Sequence, residues 1–282
     1  MIHDPIEISS IQQFVDVATS RPEGFFINSP WWRGQSENIL NSKITATLIP
    51  EIYRRSHYHE PSLSNGFIKE AKIRFPKPPA DDNLAAWVFL MQHYRCPTKL
   101  LDWSTSPFIA LFFALESISL NSDGVIWCLD PILLNKIQID TPSIITYSID
   151  PGFKKALDSV FRSSFIAKEK ISDWHQKPNF RDAIFAMNPD IFDIRQFVQR
   201  SVFSVHMINT PIEELPECDK FIRKILIRRE NKEKLTVDLD KLGYNISTIF
   251  PDLESLSHHL KGINMAANFY NLDQNLKILS HS

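Results

Sequence analysis

The stretch over residues 107–118 constrains the fold most, because its side chains are apolar on nearly every face of a helix. Ser106 before Pro107 is a typical N-cap and first-turn pair, so a helix is predicted to begin there. A helix that is apolar all round is either buried or spans a membrane. The apolar run from Phe108 to Leu115 is far too short to cross a bilayer. We therefore expect a deeply buried helix with other elements packed around it.

The remaining hydrophobic patterns predict helices and strands interleaved along the chain. Helices are expected over residues 8–19, capped by Ser9 or Ser10, over 62–75, over 84–94, capped by Asp82 or Asn83, over 232–242 and over 252–270. Strands are expected at 24–27 leading into Trp31-Trp32-Arg33, at 125–129 after an Asp-Gly turn, at 144–148, within 195–206 and at 221–227. Helices dominate the first half of this pattern and strands the second. The prediction is an α+β fold, with a helix-rich N-terminal half and a mixed or antiparallel sheet, as one domain over residues 1–282.

Charge and cysteine content exclude several classes of protein. The formal net charge is −2 and the pI is about 6.5, so any nucleic-acid contact must come from a local basic patch. The 3 cysteines are an odd number without paired spacing, which argues against a disulfide framework and a zinc site. The P-loop, GxGxxG, HExxH, CxxC and GxSxG motifs are missing. Without a signal-peptide pattern at its start, a cytoplasmic protein is the expectation.

Residues 92–103 carry the densest set of chemical groups, and we expect them to form a loop between two apolar helices. Loops held by rigid elements are where binding and catalytic groups concentrate. His93 ends the first helix, where it either acts as an acid or base or interacts with the helix dipole. Asp102 follows two leucines and needs a partner, either Arg33 or Lys99, unless it caps the following turn.

A second group of polar residues surrounds Arg33. Gly34 allows a close approach of the backbone or a sharp turn, and an arginine fork can grip phosphate. The alternative is a surface pair between Arg33 and Glu37. Further along, Gln199 is predicted in an extended segment, where it either bonds an amide or a nucleobase or lies on an ordinary strand surface. Six basic residues either contact phosphates or form a solvated mixed-charge face with Glu230 and Glu233: Arg223, Lys224, Arg228, Arg229, Lys232 and Lys234.

Taken together, these motifs resemble the FRG domain family, with matches from about residue 25 to residue 262. The matching segments are Trp32-Arg33-Gly34-Gln35-Ser36, Leu48-Ile49-Pro50 with Tyr53-Arg54, residues 92–103 with Ser106-Pro107 and 108–115, the Arg195, Gln199 and Phe203 pattern, and residues 250–253. The sequence departs from the family at two positions. Arg95 replaces a glycine, so the loop is expected to bend differently, and Lys99 replaces an arginine and so loses the fork.

The resemblance implies an ADP-ribosyltransferase-like cleft that takes NAD as a substrate and needs no metal. Asp102 is the first candidate for a catalytic carboxylate and Glu37 the second. The implied catalytic residues are Arg33, His93, Asp102 and Gln199. The implied NAD contacts are Arg33, Gly34, Gln35, Gln92, Tyr94, Thr98 and Trp103, and the implied contacts to the acceptor are Arg195, Arg228 and Arg229.

By the same resemblance, the leading hypothesis is a toxin-like transferase of a toxin–antitoxin or phage-defence system. Its acceptor would be nucleic acid, with RNA favoured, or protein, and an antitoxin protein would be a further partner. No membrane association is expected. The alternative is a non-catalytic module that binds a nucleotide or nucleic acid in the same cleft. A third hypothesis is a metal-independent nuclease that uses His93 and Asp102.

Overall fold

A long mixed sheet organises the protein in its computed structural model. The structure describes residues 4–20, 29–37, 39–40, 43–44, 46–55, 58–116, 122–147, 157–158, 160–165, 180–190 and 193–262. The strands are β1 (Ile6–Ile8), β2 (Trp31–Gln35), β3 (Ile39–Leu40), β4 (Lys43–Ile44), β5 (Leu100–Ser104), β6 (Gly124–Leu129), β7 (Ile145–Thr146), β8 (Ile184–Asn188), β9 (Ser201–His206) and β10 (Ile222–Ile227). β3 and β4 pair only with each other among the described strands.

The other strands form one 8-stranded sheet in the order β1-β10-β6-β2-β5-β9-β8-β7. Neighbours are antiparallel in the interior and parallel at both edges, where β1 pairs with β10 and β7 with β8. The prediction of a mixed sheet is therefore confirmed. The expectation that strands gather in the second half is wrong, since β2, β5 and β6 in the middle of the sheet come from residues 31–129.

Helices cover both faces of this sheet. They are α1 (Ile11–Thr19), α2 (Glu51–Arg54), α3 (Glu60–Arg74), α4 (Leu84–His93), α5 (Pro107–Leu115), α6 (Pro131–Ile139), α7 (Ile194–Val198), α8 (Cys218–Phe221), α9 (Arg229–Lys241), α10 (Ile246–Ile249) and α11, which begins at residue 253 and is described to residue 262. Short 3-10 turns lie at Phe180–Asp182 and Ile212–Glu214. In the described ranges, every helix is too short or too polar to cross a bilayer.

The predicted helix starts are confirmed at three places. The Ser10 hydroxyl accepts a hydrogen bond from the Gln13 amide and caps α1. The Asn83 side chain accepts from the Ala86 amide and caps α4. Ser106 and Pro107 occupy the predicted cap and first-turn positions of α5, although the Ser106 side chain makes no capping bond. Each start was readable because the capping residue precedes an apolar run.

The buried helix α5 lies directly against the middle of the sheet, as its composition predicted, although it ends at Leu115 and not at residue 118. Ile109, Ala110, Leu111, Ala114 and Leu115 are all buried. A Cβ added at Gly34 would lie 1.8 Å from the Ala110 carbonyl oxygen, so only glycine permits this contact. Gly34 of β2 thus serves helix packing, whereas the sequence alone suggested either a sharp turn or a close approach to a ligand.

Two segments differ from the prediction. Leu100–Ser104 is a strand, β5, and not part of a loop, because all its residues pair with β9. Ile194–Val198 is a helix, α7, where an extended segment was predicted, because the Asp193 side chain accepts from the Gln196 amide and starts a helical turn. The strand predicted at 24–27 lies outside the described residues, as does the end of the helix predicted to reach residue 270.

The sheet is nearly interrupted between β2 and β5. These strands share a single residue pair, Trp32 with Ser104, whereas β5 pairs with β9 along its whole length. Continued antiparallel pairing would place Gly34 opposite Asp102, yet no such pair forms. The backbone groups along this gap therefore need partners other than a neighbouring strand. The gap is where the candidate site lies.

Candidate functional site

A cavity of about 590 Å³ opens at the gap between β2 and β5. We call it the cleft, and its walls come from separate parts of the chain. They are β2, β5, the α2 region, the end of α4 with the loop after it, α5, the α7–β9 segment and Phe250. The volume lies within the range of small-molecule sites.

Arg33 lies in the floor of the cleft and joins its two separated strands. Its Nη1 atom donates to the backbone carbonyl of Asp102 over 2.8 Å, which replaces a missing bond of the ladder. Its Nε atom is buried and has no hydrogen-bond partner among the described residues. Burial lowers the pKa of Arg33 to about 10, which leaves the guanidinium charged at neutral pH. A charged group with an unused buried donor is suited to an anionic ligand.

Asp102 faces the cavity from β5, so its side chain is accessible inside the cleft while neighbouring groups shield it from bulk water. Burial raises the pKa of this carboxyl above its usual value. The Arg33 charge and a hydrogen bond from Gln92 act in the opposite direction. The Gln92 Nε2 atom donates to Asp102 Oδ2 over 2.6 Å, and the Thr98 hydroxyl donates to Gln92 Oε1. Gln92 is therefore the hydrogen-bond partner of the Asp102 side chain, whereas the predicted partner Arg33 bonds the backbone carbonyl of Asp102.

His93 is held by a carboxylate that the sequence analysis missed. Its Nδ1 atom lies 3.1 Å from Asp193 Oδ2, and Asp193 is also the cap of α7. Burial lowers the pKa of His93, while Asp193 works against that change. The His93–Asp193 contact thus fixes α7 against the end of α4 and orients the imidazole ring at the wall of the cleft.

The cleft is rich in arginine. Among its described lining residues are five arginines and three carboxylates: Arg33, Arg54, Arg55, Arg95, Arg195, Glu51, Asp102 and Glu116. Burial lowers the pKa of Arg195, and the nearby Arg95 adds to the change. The guanidinium of Arg195 lies 4.8 Å from the centre of the Phe250 ring, which is within cation–π range. The excess of positive charge favours an anionic ligand.

Most of the predicted site residues meet in the cleft, but several have their polar groups occupied by the protein. The lining includes Arg33, Gly34, Gln35, Gln92, His93, Thr98, Asp102, Trp103, Arg195 and Gln199. The Gln35 Oε1 atom accepts from the Trp127 indole over 2.8 Å. The Trp103 indole donates to Ser204, and the Gln199 amide donates to the Ile249 carbonyl. These three residues shape the walls more than they offer free groups.

Three predicted residues, Tyr94, Arg228 and Arg229, are not among the lining residues. Tyr94 is 55% exposed and packs edge-on against Phe75. Arg228 pairs with Glu7 and Asp123, at the far end of β10. Their predicted roles in binding NAD or an acceptor remain predictions.

Other predicted charges also lie away from the cleft. Lys99 is buried and pairs with Glu60 over 2.8 Å, so the suggestion that it partners Asp102 is wrong. Lys232, from the predicted basic cluster, is 1% exposed and donates to the Ser36 carbonyl over 2.7 Å. The cluster is therefore not one continuous phosphate-binding surface. Glu37, the second candidate carboxylate, is not among the lining residues.

Phe113 and Glu116 at the end of α5 are wall residues that were not predicted from the sequence, and Arg54 was noted only through a family motif. The Arg54 guanidinium donates to the carbonyls of Ile49 and Thr47 over 3.1 and 2.9 Å. A signal for Phe113 and Glu116 existed in the position of α5 after the turn at Ser106 and Pro107, but helical phase alone does not say which face meets a cavity. Nothing in the described ranges groups three or more histidine, cysteine, aspartate or glutamate side chains as a metal site would.

Comparison with known proteins gives one match. Residues 28–123 match the model of the FRG domain. No curated protein and no solved structure matches the chain. The matched segment contains β2, α4, β5 and α5, which supply Arg33, Gln92 and Asp102 to the cleft. The part of this chain that builds the floor of the cleft is thus similar to the FRG domain.

Proposed function

We propose that the protein is an NAD-dependent ADP-ribosyltransferase that binds NAD in the cleft between β2 and β5. The observation that carries the proposal is that Asp102 lines an arginine-rich cavity while the buried guanidinium of Arg33 holds its backbone carbonyl. The Arg33 guanidinium suits a phosphate or ribose, and the Asp102 carboxylate suits the positive charge that develops when the bond to nicotinamide breaks. The family resemblance supports the same reading by analogy.

Charge balance favours a dinucleotide in this cleft. The described walls carry an excess of two positive charges, counting the five arginines and three carboxylates named above. A pyrophosphate carries two negative charges, so the two sets neutralise each other. Trp32, Phe113, Phe203 and Phe250 supply apolar ring surface in the same walls, which suits a nicotinamide or adenine ring.

The reaction breaks the bond between ribose C1′ and the nicotinamide nitrogen, and nicotinamide leaves with the electron pair. C1′ becomes electron-poor, and a nucleophilic oxygen or nitrogen of the acceptor then forms a bond to it and loses a proton. Ionised Asp102, held by Gln92, would stabilise the developing positive charge without moving. His93 also lines the cleft, and its lowered pKa keeps it neutral at pH 7, so it would be able to take up the acceptor proton.

A non-catalytic nucleotide-binding module remains the alternative, because the arginines would serve a binder equally well. Nicotinamide release separates the two, since a transferase must produce it and a binder does not. The third hypothesis, a nuclease, needs two proton-transferring groups near one phosphate. His93 is the single histidine among the described lining residues, so Asp102 would have to be the second group.

The proposal extends to a toxin-like role, with nucleic acid (RNA favoured) or protein as the acceptor and a second protein as restraint. That extension is supported by the family resemblance alone. It predicts that expression of the wild-type chain stops growth of a bacterial host, whereas an Arg33→Ala variant leaves growth intact. Equal toxicity of the two proteins would contradict it.

The first test is transfer of label from NAD to a panel of RNA, DNA and protein, with nicotinamide release measured in parallel. We expect release by the wild type and a loss of about 100-fold or more in Asp102→Asn, the scale seen when one electrostatic stabiliser is removed. Arg33→Ala is expected to abolish saturable NAD binding. Arg74→Ala is the matched control, because Arg74 lies on α3 and pairs with Glu70 away from the cleft. NAD binding without any nicotinamide release would establish the binding module instead.

A further inference from the structure

We infer that Gln92 and Thr98 are positioning residues that hold the Asp102 side chain ionised and fixed in the cleft. The inference rests on the proposed role of Asp102 in NAD cleavage. It changes the role given to Gln92 and Thr98 by the resemblance, which implied direct contacts to NAD. Both residues lie in the cleft wall, but their polar atoms form a chain of hydrogen bonds that ends on Asp102.

The chain of hydrogen bonds begins at a backbone group whose role cannot change. The Leu100 amide donates to Thr98 Oγ1 over 3.1 Å. The Thr98 hydroxyl donates its own proton to Gln92 Oε1. Gln92 Nε2 then donates to Asp102 Oδ2 over 2.6 Å. The Leu100 amide N–H can only donate, so Thr98 Oγ1 accepts that bond and its own proton stays available for Gln92 Oε1.

The direction of the hydrogen bond between Gln92 and Asp102 depends on the charge of Asp102. With the carboxylate ionised, the Gln92 amide must present its NH₂ group to Asp102, and its carbonyl then faces the Thr98 hydroxyl. If Asp102 were protonated, the Gln92 amide could turn over, accept a hydrogen bond from the Asp102 O–H group and donate to Thr98. Because the Leu100 amide occupies one lone pair of Thr98 and favours the hydroxyl as a donor, Thr98 favours the first arrangement.

The backbone positions at both ends of this chain of hydrogen bonds are also fixed. Gln92 lies in the last turn of α4, whose end is closed by bonds from the Arg95 amide to the Gln92 carbonyl and from the Cys96 amide to the Met91 carbonyl. The Asp102 carbonyl is held by Arg33 over 2.8 Å. Asp102 Oδ1 is left without a hydrogen bond to another described residue. That oxygen is therefore the one available to a ligand.

A neutral amide suits this role better than a cation. A lysine at position 92 would pair with Asp102 and neutralise the charge that the reaction needs. Glutamine lowers the energy of the ionised form through one hydrogen bond and leaves the net charge of the site unchanged. The arginines on the other walls stay available for phosphate.

The test measures the protonation of Asp102 directly, with carboxyl carbon NMR of the full chain labelled at aspartate. The Asp102 signal is assigned by its loss in Asp102→Asn. Thr98→Val removes the hydroxyl at nearly constant shape, and Gln92→Met removes the donor. We expect each to raise the pKa of Asp102 by about one pH unit, since two or three N–H donors lower a carboxyl pKa by about two. The acid limb of the pH profile for nicotinamide release should move upwards by the same amount.

Two further variants keep the result interpretable. Thr98→Ser retains the hydroxyl and should restore the wild-type pKa if Thr98→Val acts through the lost bond and not through packing. Thr105→Val is the matched control, because Thr105 is exposed and its side chain makes no hydrogen bond among the described residues. An unchanged Asp102 pKa in folded Thr98→Val and Gln92→Met would overturn the inference. If these variants raise the pKa of Asp102 but the wild-type protein releases no nicotinamide, the chain of hydrogen bonds is supported and the proposed function is contradicted.

Discussion

At the scale of single residues, Arg95 adopts a backbone conformation that favours glycine. Its φ is 60°, in the left-handed region, and it follows the last turn of α4. The bonds from Arg95 to Gln92 and from Cys96 to Met91 are those of a helix end closed by a left-handed residue. The turn therefore keeps a geometry suited to the glycine of the family, in spite of the larger side chain. The side chain adds a positive charge to the cleft wall.

Arg95→Gly is predicted to raise the free energy of unfolding by about 0.5–1 kcal/mol. Relief of the left-handed strain contributes about 1–2 kcal/mol, and the greater chain entropy of glycine when unfolded removes part of it. The same variant should weaken NAD binding, since Arg95 lines the cleft. Urea denaturation and equilibrium binding measure the two effects.

Arg74→Gly provides the control of opposite sign. Arg74 ends α3 in a helical conformation, so glycine there should lower stability by up to about 1 kcal/mol. A loss of stability in both variants would show that strain at Arg95 is not the controlling quantity.

At the scale of elements, the contact between α5 and β2 sets the position of Arg33. Gly34 and Gly124 both lie under α5, and an added Cβ at either would come within 2.5 Å of a backbone oxygen of the helix. Backbone atoms cannot yield as a flexible side chain can, so the helix would have to lift from the sheet. Since Arg33 precedes Gly34 on the same strand, such a shift would also widen the cleft.

Gly34→Ala is predicted to destabilise the protein by about 3 kcal/mol or more, at the upper end of the cost of overpacking a core. Gly66→Ala is the matched control, because Gly66 lies inside α3 with nothing within 4 Å of the added methyl group. Alanine should stabilise that helix by about 0.5–1 kcal/mol. Thermal and urea unfolding of the two variants provide the comparison, and equal effects would contradict this account of the α5–β2 contact.

Two elements show why local patterns failed at the site. Leu100–Ser104 follows a proline and holds a single polar residue between buried ones, so its pattern matches a loop as well as a short strand. Only the pairing with β9, across about a hundred residues of chain, makes it β5. Ile194–Val198 contains residues that favour strands, yet a local cap at Asp193 gives one helical turn. Short elements carry too few residues for periodicity to decide between helix and strand.

At the scale of the whole molecule, a buried histidine links the sheet's stability to pH. His206 is fully buried at the end of β9, where its Nε2 atom lies 3.0 Å from the Ser204 hydroxyl. Burial, and secondarily the charge of Arg33, lowers the pKa of His206 to about 3. In the unfolded chain the group takes up a proton near its ordinary pKa of about 6.5. The contribution of neutral His206 to the free energy of unfolding is thus fully present above pH 6.5 and is lost as the pH falls towards 3.

We therefore predict that the wild type loses about 2 kcal/mol between pH 6.5 and pH 5 relative to a His206→Gln variant, by the linkage of 1.36 kcal/mol per pH unit. The difference between the two proteins is the useful quantity, because carboxyls with raised pKa values, such as Glu213, oppose this trend in both. His258→Gln, at an exposed position of α11, is the control. Urea titrations at several pH values measure the effect, and a constant difference across that range would contradict it.

The sequence alone determined the elements whose evidence is local, namely the buried helix α5 and the caps at Ser10 and Asn83, and its motifs indicated ten of the residues that line the cleft. Their signals are side-chain spacing and capping, which act over a few positions. Tertiary structure decided the rest. It made Leu100–Ser104 a strand, paired Lys99 with Glu60, set Asp193 against His93, and used Gly34 for helix packing. These outcomes depend on which distant segments meet. The spacing of residues within one segment does not predict the free energy of such contacts.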